Sequence, residues 1–311
     1  MRLPPKRPPA ASPQGAPRPE DDLGAARRSP RAAAGGKGPV GLSPPKRPPA
    51  ASPQGAARPW GGPADARTPP KRPPAAAPQG APTAFIFDID GTIIDSMPFH
   101  GKSWEAFFAR RGVRYEGEAF LRATAGRTGV EIMRERFGPM SDEAAWALVH
   151  EKEDVYRELF RPVFREIGGF RAFARAARAE GVRIALATAG DAKNIAFAVS
   201  GLGMEREFDA LAGAHDVRRG KPEPDLFLLA AERMGADPAE CIVFEDAPLG
   251  IEGARRAGMH AVGVTSGETA ERLAGPHVLA AIPHYRGLAP RAIIELALNR
   301  TPRAAAREGA D

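Results

Sequence analysis

The residues best suited to chemistry are acidic and come in two pairs. Asp88-Ile89-Asp90-Gly91-Thr92 closes one short apolar run, and Glu245-Asp246 closes another that starts at Cys241. A carboxylate just past a buried strand is a poor structural choice, because burying it unpaired is costly. Asp88 and Asp90 alone would also serve as turn residues before Gly91. Two acidic pairs at two strand ends favour function instead, and together they make a hard-oxygen cage that suits Mg²⁺. A third strand runs into Thr188-Ala189-Gly190-Asp191 and opens a helix. The Thr188 hydroxyl and the free N–H groups of Ala189 and Gly190 would receive a phosphate, although an ordinary N-cap turn explains that motif equally well. Gly220-Lys221-Pro222-Glu223-Pro224-Asp225 adds a lysine just before a proline-started helix, where the rigid turn can aim one ammonium at the acidic cluster.

These groups need a frame that gathers strand ends. The run 84–88 reads as a buried parallel strand, and a helical block over about 99–165 follows it. Trp104, Phe107 and Phe108 share one face of a first helix there, and Trp146, Val149, Tyr156 and Phe160 share one face of a later helix. Those stripes read as core. From 168 onward strands and helices alternate. Helices are expected at 170–179, 192–200, 225–234, 250–257 and 290–298, and strands at 182–188, 210–212, 241–245, 261–264 and 277–281. Alternation of this kind predicts an α/β fold, a doubly wound parallel sheet. In such sheets, sites lie beyond the C-terminal ends of the strands.

Composition bounds the rest. The chain has 311 residues and a formal net charge of +6. That charge is uneven: residues 1–83 hold 22 of the 33 prolines and 14 Lys+Arg against 4 Asp+Glu, while the remainder has 30 against 34. A basic tail therefore precedes a mildly acidic body. The tail repeats itself, 4–16 recurring at 44–56 and, with one change, at 69–81. So few large apolar residues predict a disordered, polyproline-II-like linker. A docking role through Arg2-x-x-Pro5-x-x-Pro8, or through nucleic acid held by the basic charge, is the minor reading. A single cysteine, Cys241, excludes a disulfide scaffold and reads as an inert core residue. No run of about 18 apolar residues occurs, and the charged start has no apolar segment after it. The expected compartment is the cytoplasm, and the expected state a monomer or weak dimer.

Taken in order on alternating strands and helices, Asp88-x-Asp90-Gly91-Thr92, Thr188, Lys221-Pro222-x-Pro224-Asp225 and Glu245-Asp246 closely resemble the haloacid dehalogenase (HAD) superfamily. The resemblance covers about 84–298. It is nearest the capped, β-phosphoglucomutase-like branch, which includes sugar-phosphate phosphatases, on the strength of His100-x-x-x-Trp104 and the run 244–258. It implies a HAD-like Rossmannoid core over 84–98 and 166–298, a helical cap over 99–165, hinges near 96–99 and 165–169, and a disordered end over 299–311. It further implies Asp88 as nucleophile and Asp90 as general acid and base. Mg²⁺ would sit on the Asp88 carboxylate, the Asp90 carbonyl and Asp246, with Glu245 adjacent. Thr188 and Lys221 would hold phosphoryl oxygens, with Ala189, Gly190, His100 and Arg127 toward substrate.

The expected activity is Mg²⁺-dependent hydrolysis of a small phosphorylated metabolite, a sugar phosphate, through an aspartyl phosphate. Asp90 argues against carbon–halogen cleavage, since dehalogenases of the family generally lack it. The alternative is a β-phosphoglucomutase-type phosphotransferase. Mutases of the branch carry a cap arginine in Gly-x-x-Arg, whereas here Arg127 follows Gly126 directly. Lys152, inside Glu151-Lys152-Glu153-Asp154, resembles a cap lysine of the family, although among so many charges it reads first as part of a solvated helix face.

Overall fold

The computed structural model describes residues 82–300, so the expectations for the repeat tail and for residues beyond 300 lie outside it. Within that span the chain runs β1 (Ala84–Phe87), α1 (Met97–Ala109), α2 (Glu118–Thr124), α3 (Gly129–Phe137), α4 (Asp142–Phe160), α5 (Phe170–Ala179), β2 (Arg183–Ala187), α6 (Ala192–Leu202), β3 (Ala210–Ala212), α7 (Asp225–Met234), β4 (Cys241–Glu245), α8 (Pro248–Arg256), β5 (His260–Val264), β6 (Val278–Ile282) and α9 (Pro290–Arg300). The strands form one parallel sheet in the order β3-β2-β1-β4-β5-β6. The chain winds outward from β1 in both directions, so the crevice of a doubly wound sheet falls at the C-terminal end of β1.

Apolar burial explains the sheet. All four residues of β1 are fully buried, and Phe85 and Phe87 pack with Phe173, Phe244 and Tyr285 on one face. Each such ring contributes about 2 kcal/mol on leaving water. Ile86, Ala185 and Val243 point to the other face, against Leu226, Phe227 and Ile251. Helices α1 to α4 build a separate apolar cluster of Trp104, Phe107, Phe108, Phe120, Ile132, Met133 and Val149. Local capping sets their ends. Thr128 and Glu131 form a reciprocal capping box on α3, and Ser141 accepts from the Ala144 N–H at the start of α4. Two chain passages join these helices to the sheet, one after β1 and one between α4 and α5.

Element limits differ from expectation at a few ends. Thr83 belongs to the folded body, since its N–H donates to the Glu240 carbonyl at 2.9 Å. The last strand lies one residue later than expected, because Ile282 continues the buried run beside Val264. Helix α9 continues to Arg300, whose guanidinium donates to the carbonyls of Pro276 and Val278. Among the described residues no helix is long and apolar enough to cross a membrane.

Candidate active site

The β-sheet register brings the predicted motifs to one edge. Phe87 is level with Leu186 of β2 and with Phe244 of β4, so Asp88, Thr188 and Glu245-Asp246 all leave the sheet at the same end. Asp88 stays in step with β4 by donating its N–H to the Phe244 carbonyl at 3.0 Å. The turn after it is tied down from outside: Ser266 Oγ donates to the Gly91 carbonyl at 2.6 Å and Tyr285 OH to the Thr92 carbonyl at 3.1 Å. Thr92 Oγ1 in turn donates to Asp246 Oδ1 at 3.0 Å.

Lys221 closes this cluster. Its Nζ donates to Asp88 Oδ1 at 2.5 Å and to Glu245 Oε2 at 2.9 Å. Asp88 and Asp246 are each 6% exposed, Thr188 and Lys221 2%. Burial pushes Asp88 up from its ordinary carboxylate pKa, the Asp90 charge adding to it, against the pull of Lys221. Burial also raises Glu245 to about 8 and Asp246 well above its usual range, with neighbouring carboxylates adding to both. For Lys221 burial works the other way, but Asp88 and Glu245 outweigh it and the ammonium ends above the ordinary lysine value.

Three buried carboxylates thus share one ammonium. Oxygens of Asp88, Glu245 and Asp246 lie within 4.8 Å of one another, the grouping among the described residues that could hold a metal ion. The donors are all hard oxygens, and the raised pKa values of Asp88, Glu245 and Asp246 mark a cluster short of positive charge, which a divalent cation such as Mg²⁺ would supply. Lys221 holds one oxygen of Asp88 and one of Glu245, while Asp246 accepts from the neutral Thr92 hydroxyl.

Backbone geometry protects this arrangement at two glycines. Gly91 has φ +79°, and a Cβ there would fall 2.1 Å from Asp246 Oδ2. At Gly250, near the start of α8, a Cβ would fall 2.1 Å from the Glu245 carboxyl. Gly91→Ala should therefore both strain the turn and displace Asp246. We expect a stability loss of about 1–3 kcal/mol and a fall in kcat/KM of about 100-fold, read by urea unfolding and by phosphate release. A variant with wild-type rates would show that Asp246 does not need that position.

Asp90 points away from Lys221, toward α1 and α4. Ser96 Oγ donates to Asp90 Oδ1 at 2.7 Å and Tyr156 OH at 3.1 Å, while His100 Nε2 faces the same oxygen at 3.0 Å. The His100 ring stacks on Tyr156 at 3.8 Å. Its Nδ1 is 2.7 Å from Lys152 Nζ, which also donates to Glu153 Oε1 at 2.9 Å. An ammonium can only donate, so His100 Nδ1 accepts and the ring proton sits on Nε2, toward Asp90. Burial alone would raise Asp90, but His100 first, then Ser96 and Lys152, hold it down at about 2.

This corner corrects one sequence reading and adds to others. Lys152 is not on a solvated face: it is 1% exposed, with its ammonium 4.8 Å from the Trp104 ring centre. Ser96 and Tyr156 were not anticipated as polar partners of Asp90. Helix spacing held the missing signal, for Lys152 and Glu153 fall between Val149 and Tyr156 on the apolar stripe of α4. Thr188 and Gly190 form a tight turn, the Gly190 N–H donating to Thr188 Oγ1 at 3.0 Å, and Ala189 sits half-buried between them. The structure does not bring Arg127 into the cluster. Its guanidinium is 2.6 Å from Glu135 of α3, although the adjoining Gly126 passes directly over the Lys221 side chain. Cys241 is buried, and burial pushes its thiol up to about 12, so it stays protonated.

The family model for haloacid dehalogenase-like hydrolases matches residues 82–258, more than half of the chain. Among curated relatives, fructose-1-phosphate phosphatase YqaB of Escherichia coli is 34% identical over 191 residues, covering 58% of this chain and 94% of that protein. Validoxylamine A 7'-phosphate phosphatase of Streptomyces hygroscopicus subsp. limoneus is 32% identical over 194 residues, covering 62% and 91%. Among solved structures, β-phosphoglucomutase of Clostridium difficile superposes with a TM-score of 0.62 at 25% identity, over 70% of this chain and 97% of that one. With its parallel sheet and the acidic strand ends gathered at one edge, the chain belongs to the haloacid dehalogenase-like hydrolase family.

Proposed function

We propose that this hydrolase is a Mg²⁺-dependent phosphatase that removes the phosphoryl group of a small polyhydroxylated phosphate ester through an aspartyl phosphate on Asp88. The observation that carries the reading is the contact of Lys221 with Asp88 inside a cluster holding more carboxylates than cations. A phosphate dianion and a carboxylate nucleophile repel each other, so positive charge must stand between them. Lys221 supplies one such charge. Asp88, the Asp90 carbonyl and Asp246 would hold the Mg²⁺, whose charge would neutralise phosphoryl oxygens.

The chemistry of the chain's own residues follows in two halves. An oxygen of Asp88 attacks phosphorus as the bond to the leaving alcohol oxygen breaks, and Asp90 gives that oxygen a proton. Asp90 then takes a proton from water, whose oxygen attacks phosphorus, and the bond to Asp88 breaks to release phosphate. The Thr188 hydroxyl and the Lys221 ammonium orient the transferring group. Asp90 is held as a carboxylate in the closed site, the form the second half uses. For the first half its proton must arrive with the substrate, whose own negative charge opposes ionisation of Asp90.

Helices α1 to α4 we assign as the cap. The groups beneath it are too buried for a phosphate ester to reach without movement at the two chain passages that join the cap to the sheet. The printed activities of the two relatives, on fructose 1-phosphate and on validoxylamine A 7'-phosphate, support a hydroxyl-rich substrate. Hydrolysis is favoured over mutase chemistry because Arg127 is turned onto Glu135, leaving no cap arginine free in that loop for a second phosphate.

A panel of phosphate monoesters with and without Mg²⁺ tests the proposal. Phosphate release should require the metal, stop with chelator and resume when Mg²⁺ is restored. Mg²⁺ should also raise the melting temperature, since it binds only the folded site. Conversion of glucose 1-phosphate to glucose 6-phosphate without free phosphate would overturn the hydrolase reading in favour of the mutase.

A further inference from the structure

One face of α4 is committed to the start of α6 and to the turn after β3, and the chemistry above does not use it. Trp146 stacks on His215 with ring centres 3.6 Å apart. One helical turn on, His150 Nε2 lies 3.5 Å from Asp191 Oδ2. Beyond that, Glu153 Oε2 accepts from Asn194 Nδ2 at 2.8 Å, and Arg157 donates to Asn194 Oδ1. Glu153, Asn194 and Asp191 are all buried. Asp191 also caps α6, accepting from the Asn194 N–H at 2.7 Å, so this surface is continuous with the Thr188–Gly190 turn.

Asn194 is fully used: its amide nitrogen faces the cap carboxylate and its carbonyl faces the cap guanidinium, which fixes its orientation. From Glu153 the polar contacts continue inward. Its second oxygen takes the Lys152 ammonium, Lys152 meets His100 Nδ1, and His100 Nε2 faces Asp90. The core element that carries the phosphate turn is therefore connected, through the cap, to the group that moves protons. When the cap lifts, Glu153 loses its core partner and Lys152 and His100 lose the fixed neighbour that aims them.

We propose that Glu153 and Asn194 form a latch, in which their contact on cap closure sets Lys152 and His100 against Asp90. Both are positioning residues. The inference rests on the reading of Asp90 as the proton-transfer group, and it specifies how closing the lid completes that group's surroundings.

An exchange of the two functional groups tests it. Asn194→Asp sets a carboxylate against Glu153 and should lower kcat for p-nitrophenyl phosphate with Mg²⁺ by about tenfold or more, the scale of a misplaced catalytic group. The pair Glu153→Gln with Asn194→Asp restores a donor opposite an acceptor, leaves a carbonyl oxygen for Lys152 and a carboxylate oxygen for Arg157, and keeps the total charge. It should return kcat to within about threefold of wild type. Because Asp90 is the group being positioned, the Asn194→Asp loss should come with an altered pH dependence of kcat that the exchange restores, whereas a loss that is structural alone would lower the unfolding midpoint and leave the pH profile of the folded fraction unchanged. If Asn194→Asp does not fold, Asn194→Ala takes its place and should show the same loss. An active wild type with an indifferent Asn194 variant, or an exchange no better than the single change, overturns the latch alone. A wild type inactive on every ester overturns the latch together with the functional reading.

Discussion

Asp88→Asn should reduce phosphate release on the order of 10⁴-fold or more, because an amide oxygen cannot take up and hand on a phosphoryl group as the carboxylate does. Its stability should be equal to or above that of the wild type when no Mg²⁺ is present. The sign follows from the raised pKa of Asp88. Burial, with Asp90 adding to it, disfavours the ionised form in the folded chain more than in the unfolded one. At neutral pH that difference is a cost to folding, and a neutral side chain removes it. The gain is offset in part because Lys221 loses one of its two carboxylate partners. Phosphate release and urea unfolding on the same samples check both halves. Rates near those of the wild type would remove Asp88 from the nucleophile's role.

Lys221→Met is the second large effect, and here stability and turnover fall together. The ammonium is fully buried between Asp88 and Glu245, with the third carboxyl of the cluster, Asp246, buried beside them. Removing it leaves carboxylates with no counter-charge, a loss of about 3–5 kcal/mol for a broken buried pair. Since the lysine pKa is raised, its contribution is intact at any pH below about 10.4 and fades only in stronger alkali. Its partner Glu245 titrates at about pH 8, and without the ammonium that carboxyl keeps its proton to higher pH, so the deficit should grow from pH 6 to pH 8. Added Mg²⁺ should recover part of the stability by supplying positive charge, and none of the turnover that depends on an aimed ammonium. Unchanged unfolding midpoints in metal-free buffer would show that the cluster does not rely on Lys221 for its balance.

The parts of this account that sequence made legible are those where local pattern and chemistry coincide. Apolar runs of four or five residues ending in Asp88, Thr188 and Glu245-Asp246 identify both the strands and the sheet edge where they meet. Gly91 could be read as a turn residue, but not as the gap into which Asp246 fits, because that contact spans 155 positions of the chain. The cap side of the site was harder. Glu151-Lys152-Glu153-Asp154 alternates charge in a way typical of exposed helices, yet Lys152 and Glu153 are buried while Asp154 is exposed. What decides between those fates is the surface that α4 meets, including Asn194 and Trp104, and no local window contains it. Tyr156 shows the same limit in milder form: its ring is core, as its spacing implies, while its hydroxyl serves Asp90. Arg127 looked toward substrate by position alone, and Glu135 two turns along α3 claims it.

The covalent intermediate is the most direct point of contact with experiment. Asp90→Asn, mixed with Mg²⁺ and p-nitrophenyl phosphate, whose leaving group departs without the proton that Asp90 would give, should stall after the first half-reaction, since no carboxylate is left to activate water. Acid quenching followed by peptide mass mapping should then find one added phosphoryl group on the peptide that contains Asp88, and none when Asp88→Asn is combined with it. A phosphoryl group carried on any other residue, or an unlabelled protein during measurable turnover, would contradict the assignment on which the rest is built.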